Sequence, residues 1–227
     1  MVLSYGLLLV SYFIGAIPFS IIIGKAVKGI DVREHGSGNP GGTNALRFLG
    51  IKAGTLVIIG DMSKGALIIV LMKLGVFGDT ANLLHPLAYG FAAAIGHSYS
   101  IYIKFKGGKA VGTSAGAMIA FNPLIAIAAG LVFIIILKIS KYVSLASTSF
   151  GIGLVIIALI LKDYDMLLYV SLTALLIFYR HKGNYKNITN NVEPQISWLS
   201  KKKSWLLFFI YYNWPFLYRR IYQGYIW

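Results

Sequence analysis

The fold is decided by residues 111–179, which read VGTSAGAMIAFNPLIAIAAGLVFIIILKISKYVSLASTSFGIGLVIIALILKDYDMLLYVSLTALLIFY. Nearly all of this stretch is apolar, and at about 20 residues per helix it is long enough for about three membrane passes. It lacks the alternation of apolar and polar residues that marks a transmembrane β-barrel. The stretch therefore predicts several membrane-spanning helices.

The rest of the chain agrees with this prediction. Of the 227 residues, 57% are hydrophobic and only 12% are charged, and the mean hydropathy is +0.73. So little polar surface cannot coat a soluble globule of this size. Further apolar spans cover residues 1–24, 51–77 and 83–103, and the first lacks a signal-peptide cleavage site. The sequence predicts an all-α polytopic membrane protein.

Three loops rich in glycine, asparagine and basic residues interrupt the apolar spans. The first loop is residues 31–50, the second loop is residues 96–113 and the third loop is residues 180–193. If they build one site, an even number of crossings must separate any two of them. Asn122-Pro123 breaks the long stretch, because proline cannot continue the preceding helix. We therefore expect a half-length pair, 111–121 and 123–137, which returns to the same side, followed by 142–161 outward and 166–179 inward.

The charges suggest an orientation for this layout of about seven helices. The chain has 21 Lys and Arg against 7 Asp and Glu. With the N-terminus outside, 18 of the 21 basic residues lie on the side of the three loops. Basic residues concentrate on the cytoplasmic side, so the loops are expected in the cytoplasm. Anionic lipids and anionic substrates, not nucleic acid, are the expected partners. Cysteine is absent, which excludes thiol catalysis.

The first loop contains the segment GSGNPGGTNALR, residues 36–47. Closely spaced glycines allow backbone amides to converge on an anion, and an arginine can add a bidentate contact. A flexible turn is the alternative, but it does not account for the accompanying polar residues. The predicted phosphate-binding residues are Gly36, Ser37, Gly38, Asn39, Gly41, Gly42, Thr43, Asn44 and Arg47.

The second and third loops supply further cationic groups. Lys106, Gly107, Gly108 and Lys109 precede a helix start at Thr113, which predicts a second anion cradle. The alternative explanation for the lysines is the general excess of basic residues on the cytoplasmic side of membrane proteins. Arg180, His181 and Asn184 follow the last span, where interfacial anchoring competes with a role in the site. Asp61 and Lys64, one helical turn apart within a span, form either a mutual ion pair or a substrate contact.

Taken together, these segments resemble the signature motifs of the bacterial membrane acyltransferase family that transfers a fatty acyl group from acyl phosphate to glycerol 3-phosphate. The matching segments are GSGNPGGTNALR (36–47), DMSKG (61–65), GHSYSIYIKFKGGKAVGT (96–113) and RHKGNYKNITNNVE (180–193). The resemblance covers most of residues 1–193 and implies a seven-helix fold with cytoplasmic motifs. It also implies the product 1-acyl-glycerol 3-phosphate and the release of inorganic phosphate.

The resemblance further implies which residues carry the reaction. Ser37, Arg47, Lys109, His181 and Asn184 are the expected catalytic residues. The residues expected to bind substrate are Gly36, Gly38, Asn39, Gly41, Gly42, Thr43, Asn44, Lys106, Gly107, Gly108, Thr113 and Arg180. His181 is either the general base or only a hydrogen-bonding group, with a substrate phosphate accepting the proton. Neither a metal nor a cofactor is expected.

Two alternative functions fit the sequence less well. None of the four histidines is followed five positions later by aspartate, which argues against the acyltransferases marked by His-x-x-x-x-Asp. A transporter of phosphate or organic anions also uses broken helices, but no internal repeat is visible. Residues 1–193 are expected to form the membrane-embedded acyltransferase domain. Residues 194–227 read as a basic, aromatic tail at the membrane interface.

Overall fold

The computed structural model describes residues 2–196, and the predicted interfacial tail lies almost entirely outside them. All its regular elements are helical. They are α1 Val2–Gly15, α2 Phe19–Lys28, α3 Gly42–Leu49, α4 Ile51–Lys73, α5 Pro86–Ser98, α6 Val111–Phe121, α7 Pro123–Ser140, α8 Val143–Leu161, α9 Tyr164–Arg180 and α10 Lys182–Thr189.

The helices carry an apolar exterior suited to lipid. Among residues 2–196, four helical stretches are long and apolar enough to cross a membrane: Val2–Lys28, Ile51–Lys73, Pro123–Ser140 and Val143–Leu161. Large hydrophobic side chains point outward, such as Leu124 at 78% exposure and Leu175 at 66%. In water this surface would be costly, whereas in a bilayer it faces the preferred solvent. The predicted class, an all-α membrane protein, is confirmed.

The chain breaks between α1 and α2, where the sequence alone suggested one continuous span. Pro18 stands at the N-terminal boundary of α2, and α2 ends at Gly29, whose φ of 68° suits glycine. Helix α4 lies at the centre of the fold and packs against α1, α2, α3, α5 and α6. The second group of helices, α7, α8 and α9, joins this part through the packing of α7 on α6 and of α9 on α5.

The pair around Asn122-Pro123 differs from the prediction. Asn122 caps α7 by accepting hydrogen bonds from the amides of Leu124 and Ile125, and α7 continues to Ser140 instead of stopping at Leu137. Helix α6 has only 11 residues, yet its last carbonyl, on Phe121, accepts a hydrogen bond of 2.8 Å from Lys73 at the end of α4. The turn between α6 and α7 therefore lies level with the far end of α4, not at half its depth.

Glycines allow α6 to press against α4. A Cβ atom at Gly65 would lie 1.9 Å from the Thr113 carbonyl oxygen, and one at Gly116 would lie 1.9 Å from the Met62 carbonyl oxygen. In lipid, the hydrophobic effect does not drive helices together. Small residues allow helix backbones to approach closely, and the van der Waals contact between them stabilises the pair. Glycine at these two positions therefore permits the most extensive helix pairing in the fold.

Adding a methyl group at Gly116 is expected to destabilise the protein by about 1–3 kcal/mol, because the backbone of α4 cannot move away cheaply. The matched control is Gly130→Ala in α7, where a Cβ meets nothing within 4 Å. That change removes helix-breaking flexibility and should leave stability equal or higher. Thermal unfolding in detergent measures both. Equal melting temperatures for Gly116→Ala and Gly130→Ala would contradict the packing argument.

Candidate active site

The second loop descends to the middle of α4. Gly112, in the first turn of α6, is positioned so that a Cβ atom would lie 3.4 Å from the Asp61 Cβ. Asp61 stands near the midpoint of α4, and α5 has only 13 residues, so both helices that flank the loop start or end at this depth. The first loop also reaches inward, because Gly42 at the start of α3 faces Ile58. The glycine-rich segments therefore surround the central part of α4.

The second and third loops are joined by their basic side chains. The guanidinium of Arg180 donates hydrogen bonds to the carbonyls of Gly107 (2.8 Å) and Gly108 (3.0 Å) and lies 5.1 Å from the centre of the Tyr99 ring. Lys109 donates a 2.5 Å hydrogen bond from Nζ to the Asn184 side-chain oxygen. These contacts bring together the two loops that the crossing argument required on one side.

Glu193 organises the third loop, although it was not among the predicted site residues. Its Oε1 accepts hydrogen bonds from Asn184 Nδ2 (2.7 Å) and Ser144 Oγ (3.1 Å), and its Oε2 accepts one from Asn187 Nδ2 (3.4 Å). The amide of Asn184 is thereby oriented with its oxygen toward Lys109. Glu193 is the last residue of the third motif, 180–193, so the sequence did offer a reason to include it in the site. Nothing in the sequence marks Ser144.

The centre of the site has excess positive charge. Burial lowers the pKa of Lys109; Glu193 opposes this shift, and the nearby charges of Arg180 and Arg47 add to it. One carboxylate thus faces three cations. Within residues 2–196, no three His, Asp or Glu side chains are grouped to hold a metal ion. An anionic ligand is the group that such a cluster accommodates best.

The first loop presents backbone donors at the start of α3, the helix that also carries Arg47. Gly41 begins α3 without a side-chain cap, and the amides of Gly42, Thr43 and Asn44 find no acceptor among residues 2–196. Gly36 and Gly38 have φ angles of 59° and 67°, which favour glycine and allow the sharp turn before α3. Free amides at a helix start carry a partial positive charge and suit a phosphate.

Three predicted contacts need correction. Asn44 is buried and uses both amide hydrogens on the carbonyls of Val32 (2.8 Å) and His35 (3.0 Å), so its side chain shapes the loop and is not free to donate to a ligand. The amides of Gly107 and Gly108 donate to the carbonyls of Ser98 and His97, so they form no open cradle. The Thr113 side chain is completely buried, and its Oγ1 has no hydrogen-bond partner among residues 2–196, so in this structure it is not exposed to a ligand at the loop surface.

The other predicted residues lie on the accessible side of the loops. Exposed members are Gly36, Ser37, Gly38, Thr43, Arg47 and Lys106, and half-buried ones are Asn39, Gly41, Gly42, Lys109, Arg180 and Asn184. Arg47 lies near Lys109 and its guanidinium is 3.5 Å from the Pro194 carbonyl. Arg180 braces the second loop, a role that the sequence did not indicate.

His181 is buried with a defined hydrogen-bond pattern. It is 3% exposed, and its Nδ1 lies 2.8 Å from the Ile177 carbonyl oxygen. Because a carbonyl only accepts, Nδ1 carries the proton and Nε2 is left as an acceptor in the neutral ring. Burial lowers the pKa of His181 to about 4, and the charges of Lys109 and Arg180 contribute. The ring is therefore neutral near pH 7.

This pKa predicts a pH-dependent stability. Because the pKa is about 4 in the folded protein and about 6.5 when unfolded, the unfolded state binds more protons between these values. The contribution of His181 to the free energy of unfolding is thus fully present above pH 6.5. It is lost as the pH falls toward 4, by about 3 kcal/mol. Thermal unfolding from pH 7 to pH 4 should show a shallower decline for His181→Gln than for the wild type. The control is His35→Gln, and equal declines for all three proteins would contradict the assignment.

Comparison with known proteins gives the site a context. A family model described as glycerol-3-phosphate acyltransferase matches residues 5–191. The glycerol-3-phosphate acyltransferase of Bacillus subtilis is 47% identical over 193 residues, which cover 85% of this chain and 97% of the relative. The enzyme of the same description from Geobacillus kaustophilus is 44% identical over 197 residues, which cover 86% and 98%.

Two crystal structures resemble the chain over 85% of its length. Both are of PlsY (YgiH), an integral membrane glycerol 3-phosphate acyltransferase. The glycerol 3-phosphate form is 32% identical, with a TM-score of 0.77 and coverage of 85% of this chain and 95% of that one. The lysophosphatidic acid form is 31% identical, with a TM-score of 0.74 and the same coverage.

Proposed function

The chain belongs to the glycerol-3-phosphate acyltransferase family and is an integral membrane enzyme of phospholipid biosynthesis, and from this premise we propose how its site performs acyl transfer. The family resemblance drawn from the motifs is thereby confirmed. The product is lysophosphatidic acid, the ligand of one of the two related crystal structures. We propose acyl phosphate as the acyl donor. No observation supports the transporter alternative.

The proposed reaction is a direct acyl transfer between two bound substrates. The 1-hydroxyl oxygen of glycerol 3-phosphate attacks the carbonyl carbon of acyl phosphate and forms the new ester bond. The bond from that carbon to the phosphate oxygen breaks, its electron pair leaves with the phosphate, and the hydroxyl proton completes inorganic phosphate. Acyl phosphate is already activated, so positioning and charge stabilisation supply most of the catalysis.

The observation that carries this proposal is the presence of two kinds of phosphate donor on the segments that surround the central part of α4. The free amides at the start of α3 face the loop surface, with Ser37 and Thr43 beside them. Arg47, Lys109 and Asn184 form the cationic side of the site. We propose that the amides hold one phosphate and that this cationic group, with His181, clamps glycerol 3-phosphate. Lys106 is exposed near the rim and adds positive charge there.

The environment of His181 favours a substrate phosphate as the proton acceptor. A base with a pKa of about 4 gains little from accepting a proton near pH 7, whereas phosphate monoesters have a second pKa of about 6. The Nε2 atom of neutral His181 is an acceptor that orients the attacking hydroxyl. His181 is therefore assigned a hydrogen-bonding role.

Purified protein given acyl phosphate and labelled glycerol 3-phosphate is expected to release inorganic phosphate and lysophosphatidic acid in equal amounts. Lys109→Met should lower kcat/KM by about 100-fold or more, since it removes a half-buried charge from the cationic side of the site. The control, Lys186→Met on the exposed face of α10, should retain activity. Formation of lysophosphatidic acid from a thioester donor but not from acyl phosphate would overturn the proposed donor.

We also propose a topology of seven membrane helices with the N-terminus outside and the site facing the cytoplasm of a bacterial cell. Helix α1 with α2, and then α4 to α9, alternate in direction, so four crossings separate the second loop from the third. The position of Phe121 beside Lys73 supports two passes for the pair α6 and α7. Residues 1–193 are proposed as the acyltransferase domain, in line with the family match to residues 5–191. Residues 194–227 are proposed as an interfacial tail in contact with membrane lipid.

The absence of native cysteine allows a clean test of orientation. Single variants Thr80→Cys, in the loop between α4 and α5, and Lys186→Cys, in α10, both place the thiol at exposed positions. A membrane-impermeant maleimide is expected to label Thr80→Cys in intact cells and Lys186→Cys only after permeabilisation. Labelling in the reverse order would invert the topology, and labelling of both in intact cells would contradict the five crossings, α5 to α9, that separate these two positions.

A further inference from the structure

Three ionisable side chains meet in the interior, apart from the residues assigned to substrate. Asp61 and Lys64 of α4 are each 4% exposed, and Lys64 Nζ lies 2.8 Å from Asp61 Oδ1. The same oxygen lies 3.4 Å from Nδ1 of His97, which is 7% exposed near the end of α5. Asp61 and Lys64 were predicted as a pair, and the fold adds His97 to them from a different helix. Polar groups at this depth are costly unless they serve a purpose.

Lys64 connects this cluster to the break between α1 and α2. Its Nζ also donates a 3.0 Å hydrogen bond to the Ile17 carbonyl, whose other donor is the Phe19 amide at 3.2 Å. Next to it, the Ser100 hydroxyl donates a 2.5 Å hydrogen bond to the Ala16 carbonyl. The interrupted backbone is therefore satisfied in part by the cluster and in part by Ser100 of the second loop, as a membrane interior requires.

His97 connects the cluster to the second loop. A Cβ atom on Gly108 would lie 2.0 Å from His97 Nε2, so the loop backbone rests directly on the imidazole ring. The amide of Gly108 donates to the His97 carbonyl at 2.9 Å. Pro40 of the first loop lines the same small cavity of about 10 Å³ as His97 and Gly108. The ring thus supports the segment that carries Lys109 and adjoins the first loop.

We propose that Asp61, Lys64 and His97 are positioning residues for acyl transfer: the carboxylate orients the imidazole, and the imidazole fixes the height of the second loop. A mutual ion pair needs only Asp61 and Lys64, whereas the third member is the one in contact with Gly108. Lys109 follows Gly108, and Arg180 holds the Gly108 carbonyl, so a shift of this backbone displaces two cations. This inference rests on the proposed function for its kinetic consequence.

The variant His97→Asn separates the contact with Asp61 from the contact with Gly108. The asparagine amide occupies the place of Nδ1 and keeps the contact with Asp61, but it withdraws from Gly108. The double variant Asp61→Asn/Lys64→Met removes the buried pair with little change in volume, which generally preserves folding better than breaking the pair. The matched control is Tyr89→Phe, which removes a buried hydroxyl from the same helix α5, where it contacts Ser4 Oγ and the Leu84 amide.

The kinetic test measures KM for glycerol 3-phosphate and kcat, normalised to folded protein. Both cluster variants are expected to lower kcat/KM by about 100-fold, mainly through KM, because a displacement of about 1 Å has an effect of this size. Tyr89→Phe should keep both constants while losing thermal stability. Wild-type KM in His97→Asn and in the double variant would overturn the inference. If one variant fails to fold, the other decides the question.

Hydrogen exchange provides a readout independent of activity. Faster exchange of the amides in residues 104–110 is expected in His97→Asn and not in Tyr89→Phe. Unchanged exchange in that segment would refute the positioning role. Faster exchange together with a wild-type protein inactive on acyl phosphate and glycerol 3-phosphate would preserve the inference about the loop and reject the proposed function.

Discussion

The close approach of α6 to α4 is the contact on which the site depends. In a bilayer, two apolar helices gain little by leaving lipid, so their association depends on backbone contact and internal polar bonds. Gly65 against Thr113 and Gly116 against Met62 provide that contact. Since α6 is only 11 residues long and its far end reaches Lys73, its first turn must lie well inside the protein. The loop that precedes it is carried inward for this reason.

Placing a basic loop inside the protein costs electrostatic free energy. Cations away from water need acceptors or counter-ions, and the described residues supply only some of them. Arg180 is satisfied by two loop carbonyls, and Lys109 by the amide oxygen that Glu193 orients. Arg47 brings a third positive charge, and one carboxylate does not balance it. Under the proposed function, the substrate phosphates complete the charge balance, which gives the unliganded site a strong preference for them.

The sequence predicted the features that depend on residue spacing within one helix and on the number of membrane crossings between loops. The Asp61 and Lys64 pair followed from helical spacing, and the contact between the second and third loops agrees with the shared site that the crossing count assumed. The number of crossings did not reveal how far α6 lies inside the protein, because the count assumed that each membrane pass needs about 20 residues. In the structure, α5 and α6 are shorter, since the loop between them descends to meet them. The role of His97 was equally hidden, because its partner stands on another helix.

The glycines show why a motif alone does not fix a mechanism. In the first loop, Gly36 and Gly38 have positive φ, and the chain turns so that the α3 amides stay free. In the second loop, Gly107 and Gly108 are glycine because the backbone lies against His97 and Ser98, and their amides are used within the protein. The same residue type thus answers two different steric needs. Only the first leaves neutral backbone dipoles for an anion, while the second positions charged side chains. The two phosphate-bearing substrates of the proposed reaction therefore meet chemically different donors, which gives each a separate place although both carry the same group.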